Sequence, residues 1–261
     1  QDAWSYHRPH HGIVGVVCDG CGSGAYSEVG ARLGACIVSH SLSAALTKAA
    51  VHPCTNATRT GAPFWERIRL DVLAQLRVLA YGMGDSLAQT VHDYFLFTVV
   101  GVVLTDHVLC VFSCGDGIFT INGETERIGP FPGNAPPYLA YSGLMPVTCK
   151  DEDLTDYRFQ VNRIVPAREV DSVLIGTDGV QDLIGAEHRN IPGTVEQEGP
   201  LSQFWTDDRY FTNADRIRRT LFRVNQSATR LDTENGTIRR DPGLLPDDTT
   251  LLTLRRRPEG R

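Results

Sequence analysis

Apolar residues in this chain change their spacing from segment to segment, and each spacing predicts an element. Residues 13–18, Ile13-Val14-Gly15-Val16-Val17-Cys18, form an unbroken apolar run of strand length. From Ser27 to about Ala49 the spacing becomes three and four: Val29, Leu33, Ile37 and, one turn on, Ser41 and Leu42 share a stripe, which predicts a helix. His40 on that helix reads as a structural or surface residue. Val51 to Gly61 is polar, with Pro, Asn and Gly, and reads as a loop. A second helix is predicted from about Ala62 to Tyr81. Trp65, Ile68, Val72, Leu76 and Leu79 form its apolar stripe, and Glu66, Arg67 and Asp71 lie off it. Asp85 or Ser86 would cap a short helix to about His92.

Strands are predicted next, at 94–104, 108–114 and 117–121, with turns at Thr105-Asp106-His107 and Asn122-Gly123. Such short turns make neighbouring strands antiparallel, and Asn-Gly is the strongest hairpin signal in the chain. Pro and Gly are dense from Gly129 to Gly143, so irregular backbone is expected there. Strands follow at Phe159 to Val165 and at 171–177. A polar stretch from Gly185 to Pro200, a helix from Asn213 to Gln226, a long polar loop to Leu245 and a strand at 249–255 complete the chain. Strands 95–104, 108–114 and 172–177 are apolar on successive residues, so both of their faces must be covered. Two packed antiparallel β-sheets flanked by α-helices, an α-β-β-α four-layer sandwich in one α+β domain, satisfy this pattern.

Composition narrows the function classes. The 261 residues are 41 % hydrophobic and 21 % charged with a net charge of −6, which is ordinary for a globular domain and offers no nucleic-acid surface. Arg255-Arg256-Arg257 is a short terminal cluster. No unbroken apolar run reaches the roughly 18 residues that cross a bilayer, so no membrane span is expected. The seven cysteines are odd in number. Cys18, Cys36, Cys110 and Cys114 lie in apolar runs, and Cys18-x-x-Cys21 has no second pair to complete a zinc site. Reduced thiols, no signal peptide and a cytoplasmic location are the simplest reading.

The candidate chemistry lies where apolar runs end. Three of them stop at Asp-Gly: Asp19-Gly20, Asp116-Gly117 and Asp178-Gly179. A fourth acidic pair, Asp247-Asp248, precedes the last strand. A single Asp-Gly after a strand is usually a turn. Asp19-Gly20 instead leads into Cys21-Gly22-Ser23-Gly24 and a helix, and Asp178-Gly179 leads into the helical Val180-Gln181-Asp182. Asp116-Gly117 alone reads as a hairpin between neighbouring strands. Carboxylates gathered at strand ends repel one another and call for a cation, and oxygen ligands suit Mg²⁺ or Mn²⁺.

These stations resemble, in order and spacing, those of the metal-dependent protein phosphatases of the type 2C serine/threonine class in their bacterial form. Gln1-Asp2-Ala3-Trp4 resembles the end of the first acidic motif. Val16-Val17-Cys18-Asp19-Gly20-Cys21-Gly22 resembles the Asp-Gly-x-Gly motif, and Thr98-Val99-Val100-Gly101 the Thr-bearing central strand. Cys114-Gly115-Asp116-Gly117, Thr177-Asp178-Gly179-Val180-Gln181-Asp182 and Asp247-Asp248-Thr249 resemble the remaining acidic motifs. The resemblance implies one phosphatase domain over 1–261 with two antiparallel sheets flanked by helix pairs. It implies that Asp19 bridges two Mn²⁺ or Mg²⁺ ions, that the Gly20 carbonyl binds one of them, and that Asp178 and Asp247 bind the other. Asp116 and Asp182, with Asp178, would hold a third ion, and Asp2 would hold metal-bound water. The implied reaction is hydrolysis of a phosphomonoester by hydroxide bridging two metals. The substrate would be a phosphorylated protein, the enzyme a monomer opposing a serine/threonine kinase.

Departures from the pattern are specific. Cys21 stands where some members carry His as a general acid, leaving His7, His10 and His11 as neighbours in a polar turn. Gln1 stands where Glu is common. The family's phosphate-binding Arg and first strand belong to a segment upstream of Gln1. Two other readings use the same residues: an inactive phosphoprotein-binding module, and a phosphatase of small metabolites. Loops 129–158 and 185–246 are where substrate choice would be decided.

Overall fold

Backbone pairing in two separate sheets organises the chain. The computed structural model describes residues 1–10, 12–48, 62–143, 155–213, 215–232 and 236–257. The first sheet contains β1 (Ala3–His7), β2 (Ile13–Cys18), β3 (Val99–Leu104), β4 (Val108–Cys114) and β7 (Gln160–Pro166), in the order β1-β2-β3-β4-β7. The second contains β5 (Gly117–Ile121), β6 (Glu124–Ile128), β8 (Ser172–Gly176) and β11 (Leu251–Arg255), in the order β11-β8-β5-β6. Every pairing is antiparallel. Alternate residues of each strand serve different layers. Val100, Val102, Leu109, Val111, Phe119, Val173 and Ile175 pack between the sheets. Val14, Val16, Val99, Cys110 and Phe112 pack under α1 (Ser27–Lys48) and α2 (Ala62–Met83). Ile118, Leu174 and Leu251 pack under α4 (Val180–Gly185), α5 (Gln203–Thr206), α6 (Arg209–Thr212) and α7 (Arg216–Asn225). The architecture is the expected α+β, four-layer arrangement.

Local details differ from the sequence reading in informative ways. The deepest face of α1 is made of Ser27, Ala31, Ala35, Val38, Leu42 and Leu46, while Val29 is exposed and Leu33 and Ile37 sit on the flank. Small residues face inward because the neighbours come very close. A Cβ on Gly30 would lie 1.5 Å from the Tyr94 carbonyl oxygen, and one on Gly34 2.4 Å from the Phe97 ring. By length and composition Ser27–Thr47 could cross a membrane, although no unbroken run predicted it; in this fold half of it is buried as a core helix. Helix α3 (Leu87–Tyr94) starts at Ser86, whose hydroxyl accepts the Gln89 N–H at 3.4 Å. It takes up Tyr94, the first residue of the strand predicted from 94, and β3 itself begins at Val99.

Three further corrections concern connections. Asp116-Gly117 is not a hairpin: β4 ends in one sheet and β5 begins in the other, so these residues carry the chain across the sandwich. Ala3–His7 is an edge strand whose Trp4 and Tyr6 are exposed, which hid it from a search for apolar runs. The polar stretch read as a loop to Leu245 contains a separate ribbon, β9 (Ala228–Asp232) and β10 (Thr237–Asp241). The loop predicted at 51–61 lies outside the described residues, as do residues 144–154 of the expected 129–158 loop. The Asn122-Gly123 hairpin joins β5 to β6 as expected.

Close packing makes two glycine substitutions diverge. Helix propensity alone favours Ala over Gly by about 1 kcal/mol at either site. Gly82, near the end of α2, has open space where a Cβ would stand, so Gly82→Ala should stabilise by about 0.5–1 kcal/mol. Gly30→Ala should destabilise by about 3 kcal/mol, because α1 must move off the Tyr94 carbonyl. Urea unfolding of both variants checks the opposite signs.

Candidate functional site

Strand register brings the acidic stations to one end of the sandwich. Ala3 pairs with Cys18, so the next residues outward, Asp2 and Asp19, lie side by side. Ala3 and Cys18 face the helices, and by alternation Asp2 and Asp19 turn toward the second sheet. The Asp19 carbonyl accepts the Thr98 N–H at 2.8 Å, and Gly20 bridges to Phe97, which extends the pairing past the last strand residue. In the second sheet Gly176 pairs with both Ile118 and Leu251. The residues beyond this row are Asp116 before β5, Asp178 after β8 and Asp247 before β11. Asp182 lies in the first turn of α4, directly after Asp178-Gly179.

Local sequence accounts for each placement. Gly20 is buried, and a Cβ there would meet the Ser27 carbonyl at 2.8 Å, so the Asp-Gly pair admits the first turn of α1 against the strand end. Gly179 lets the chain pass Asp248, whose carbonyl oxygen would stand 2.1 Å from a Cβ. Thr249 Oγ1 donates to the Gly179 carbonyl at 3.2 Å, tying the segment before β11 to the start of α4. The exposed Asp247 carboxylate accepts the Asp248 N–H at 2.8 Å.

Thr177 belongs to a motif named from the sequence, but no role was assigned to it there. Its hydroxyl donates to Asp2 Oδ2 at 2.7 Å and accepts the Thr250 N–H at 3.1 Å. It therefore fastens the first sheet's acidic end to the second sheet. Its position directly before Asp178, at the end of an apolar run, was the available signal. Asp248, the second member of the acidic pair, accepts a hydrogen bond from the Gln1 backbone nitrogen. Tyr138 is a third: its hydroxyl stands close enough to the Cys21 thiol to lower it. His7 stands away from this chemistry, packed edge-on against His40 with ring centroids 5.9 Å apart. His11 lies outside the described residues.

The electrostatics are those of crowded anions. Burial pushes Asp19 up to about 9, reinforced by the Asp2 charge, by its hydrogen bond with Asp2, and by Asp178 and Asp247. Asp2 is also raised by burial, against the bonds from Asp19 and Thr177. Asp178 is raised by burial and then by Asp247, and Asp116 by burial and then by Asp178. Burial also raises the Cys21 thiol, but hydrogen bonds from the Ser23 and Tyr138 hydroxyls and the Ser23 and Gly24 N–H groups outweigh it and lower the thiol.

The donor set fits a hard divalent cation. Asp2 Oδ1 and Asp178 Oδ1 are buried and accept no hydrogen bond, so each is an oxygen removed from water without compensation. A cation supplies both the missing partner and the missing positive charge. Among the described residues, no three His, Cys, Asp or Glu side chains form a ready-made cage. The fit is thus one of donor type and charge, and Mg²⁺ commonly takes one or two carboxylates and keeps several waters.

Comparison with protein-family models matches residues 1–221 to the model described as Protein phosphatase 2C. Comparison with curated proteins gives no match. Among solved structures the chain is similar to the serine/threonine phosphatase Stp1 from Staphylococcus aureus, at 18 % identity over 70 % of this chain and 72 % of that one, with a TM-score of 0.44. It is similar to a bacterial serine phosphatase at 17 % identity over 70 % and 74 %, TM-score 0.42. It is also similar to serine-threonine phosphatase 2C from Toxoplasma gondii at 15 % identity over 70 % and 74 %, TM-score 0.39.

The raised Asp19 sets a pH dependence. Folding lifts its pKa from an unfolded value near 3.8 to about 9, so between those values the folded state holds a proton that the unfolded state has lost. In metal-free protein this contribution is fully present below the unfolded pKa and is lost as pH rises through the folded one. Thermal unfolding in chelator should therefore show a falling Tm from pH 5 to 9. Asp19→Asn should flatten that slope and raise Tm at pH 8.

Proposed function

The chain belongs to the protein phosphatase 2C family, and from that premise we propose that it is a Mn²⁺- or Mg²⁺-dependent serine/threonine phosphoprotein phosphatase. The observation that carries the reading is the delivery of Asp2, Asp19, Asp116, Asp178 and Asp247 to one end of two sheets by strand register. Such crowding, with unsatisfied carboxylate oxygens, destabilises the metal-free protein and makes sense where cations are to be held.

Asp19, the Gly20 carbonyl, Asp178 and Asp247 would hold two ions, and Asp116 and Asp182, with Asp178, a third. When bound, such ions lower the pKa of water and neutralise charge on a phosphoryl group. Asp2 has a positioning part. Thr177 occupies its Oδ2, which leaves Oδ1 to accept a hydrogen bond from water. Water then displaces the seryl or threonyl oxygen from phosphorus, and inorganic phosphate and the free hydroxyl leave. No covalent enzyme intermediate is needed. Cys21 stands in the place of a candidate general acid, and the leaving oxygen takes its proton from solvent. We place the enzyme in the cytoplasm as a monomer, acting on a phosphorylated protein against a serine/threonine kinase.

Hydrolysis of p-nitrophenyl phosphate and of a phosphoserine peptide should require Mn²⁺ and stop in EDTA. Asp19→Asn and Asp178→Asn should each lower kcat/KM by about 100-fold or more, the scale on which disturbed metal sites lose activity. Undiminished turnover in EDTA would falsify the reading. Metabolite phosphates hydrolysed far faster than phosphopeptides would transfer the activity to small substrates.

A further inference from the structure

Arg127 lies on β6, the outer strand of the second sheet, one residue before the strand ends. Register sets it in a row that crosses the whole sheet: Arg127 opposite Ile118, Ile118 opposite Gly176, Gly176 opposite Leu251. Residues paired across antiparallel strands point to the same face. Ile118 and Leu251 face the layer under α4–α7, so Arg127 stands on that face, at its open rim. The acidic residues Asp116, Asp178 and Asp247 lie just beyond this same row.

A second contact draws the end of β6 toward the acids. Gly129 packs against Asp116, with 3.2 Å between a Cβ placed on Gly129 and the Asp116 Cβ. The guanidinium charge reaches both Asp116 and Asp178 and works against the burial that raises them. Arg127 is nonetheless exposed, and among the described residues it makes no ion pair or hydrogen bond. Several other arginines are committed: Arg69 to Glu66 and Ser142, Arg223 to Glu196, Arg255 to Asp208 and two carbonyls. Among the described residues nothing occupies the five N–H donors that Arg127 presents beside a site that is otherwise acidic.

We infer that Arg127 binds the phosphoryl oxygens of the substrate and holds the phosphoester at the Asp116–Asp178 side of the site. This rests on the phosphatase reading above. A phosphate dianion approaching a cluster of carboxylates meets repulsion, and an unpaired planar fork at the rim both attracts it and sets its orientation through two parallel hydrogen bonds.

The test compares the full chain with Arg127→Ala and Arg127→Lys in saturating Mn²⁺. Inorganic phosphate is titrated by calorimetry and as an inhibitor of p-nitrophenyl phosphate hydrolysis. Arg127→Ala should weaken phosphate binding and raise KM by about tenfold or more, the loss expected for one charge-assisted contact. Mn²⁺ needed for half-maximal activity should stay level or fall, because a cation has left the neighbourhood of the acids. Arg127→Lys keeps the charge but not the fork, should weaken phosphate binding less, and serves alone if the Ala variant does not fold. Phosphate affinity unchanged in a folded variant overturns the inference. Wild-type protein that binds phosphate through Arg127 but turns nothing over would instead overturn the phosphatase reading, leaving Arg127 as an anion-binding residue.

Discussion

Carboxylates that repel one another are held together here by backbone hydrogen bonds, and the rest of the molecule is arranged around that opposition. Asp2 and Asp19 cannot separate without breaking the β1–β2 ladder. Asp116, Asp178 and Asp247 leave the ends of three adjacent strands of one sheet. Each ladder bond contributes modestly, but a slip of one residue would also turn every inward side chain outward. The sheet-to-sheet core resists such a slip with Val100, Val102, Val111, Phe119 and Ile175 packed in register. The hydrophobic layers therefore set the spacing of the acids, which in turn sets what the site can hold.

Thr177 shows how this spacing is enforced at the site itself. The Thr177 hydroxyl stands between the Asp2 carboxylate beside one sheet and the Thr250 N–H just before the edge strand of the other. Removing a proton from Asp2 strengthens that bond, whereas burial and the charge of Asp248 oppose the same ionisation. A site tuned in this way is costly to the metal-free fold, a common relation where function needs strained or crowded groups. Arg127 relieves the crowding on the outer side and Thr177 orders it on the inner side.

Long apolar runs and the spacing of acids were legible in the sequence because each follows from a simple geometric rule. Strands β2, β3, β4 and β8 are apolar on both faces, and α2 carries a regular stripe of large residues. What escaped was local chemistry without that signature. The inner face of the first half of α1 is Gly, Ala and Ser because closeness, not size, is selected there. Edge strand β1 and the β9–β10 ribbon keep exposed side chains, so they lack an apolar run. Asp116-Gly117 was read as a turn because a crossing between sheets and a hairpin share the same dipeptide. The candidate acids could be named one by one, but Thr177 and Arg127 meet them only through register, and Tyr138 reaches the site from the irregular segment before Leu139.

The residues that meet at the acidic end are drawn from nearly the whole length of the chain; the bond from Thr177 to Asp2 alone spans 175 positions. Contacts of such separation form late and slowly, since the loop between them must close before the contact gives any return. During synthesis the first sheet can pair its early strands long before β11 has left the ribosome. A nascent chain therefore contains Asp2 and Asp19 while Asp247 is still unmade. Biosynthesis in this way delays the appearance of a complete site until the second sheet closes on its last strand.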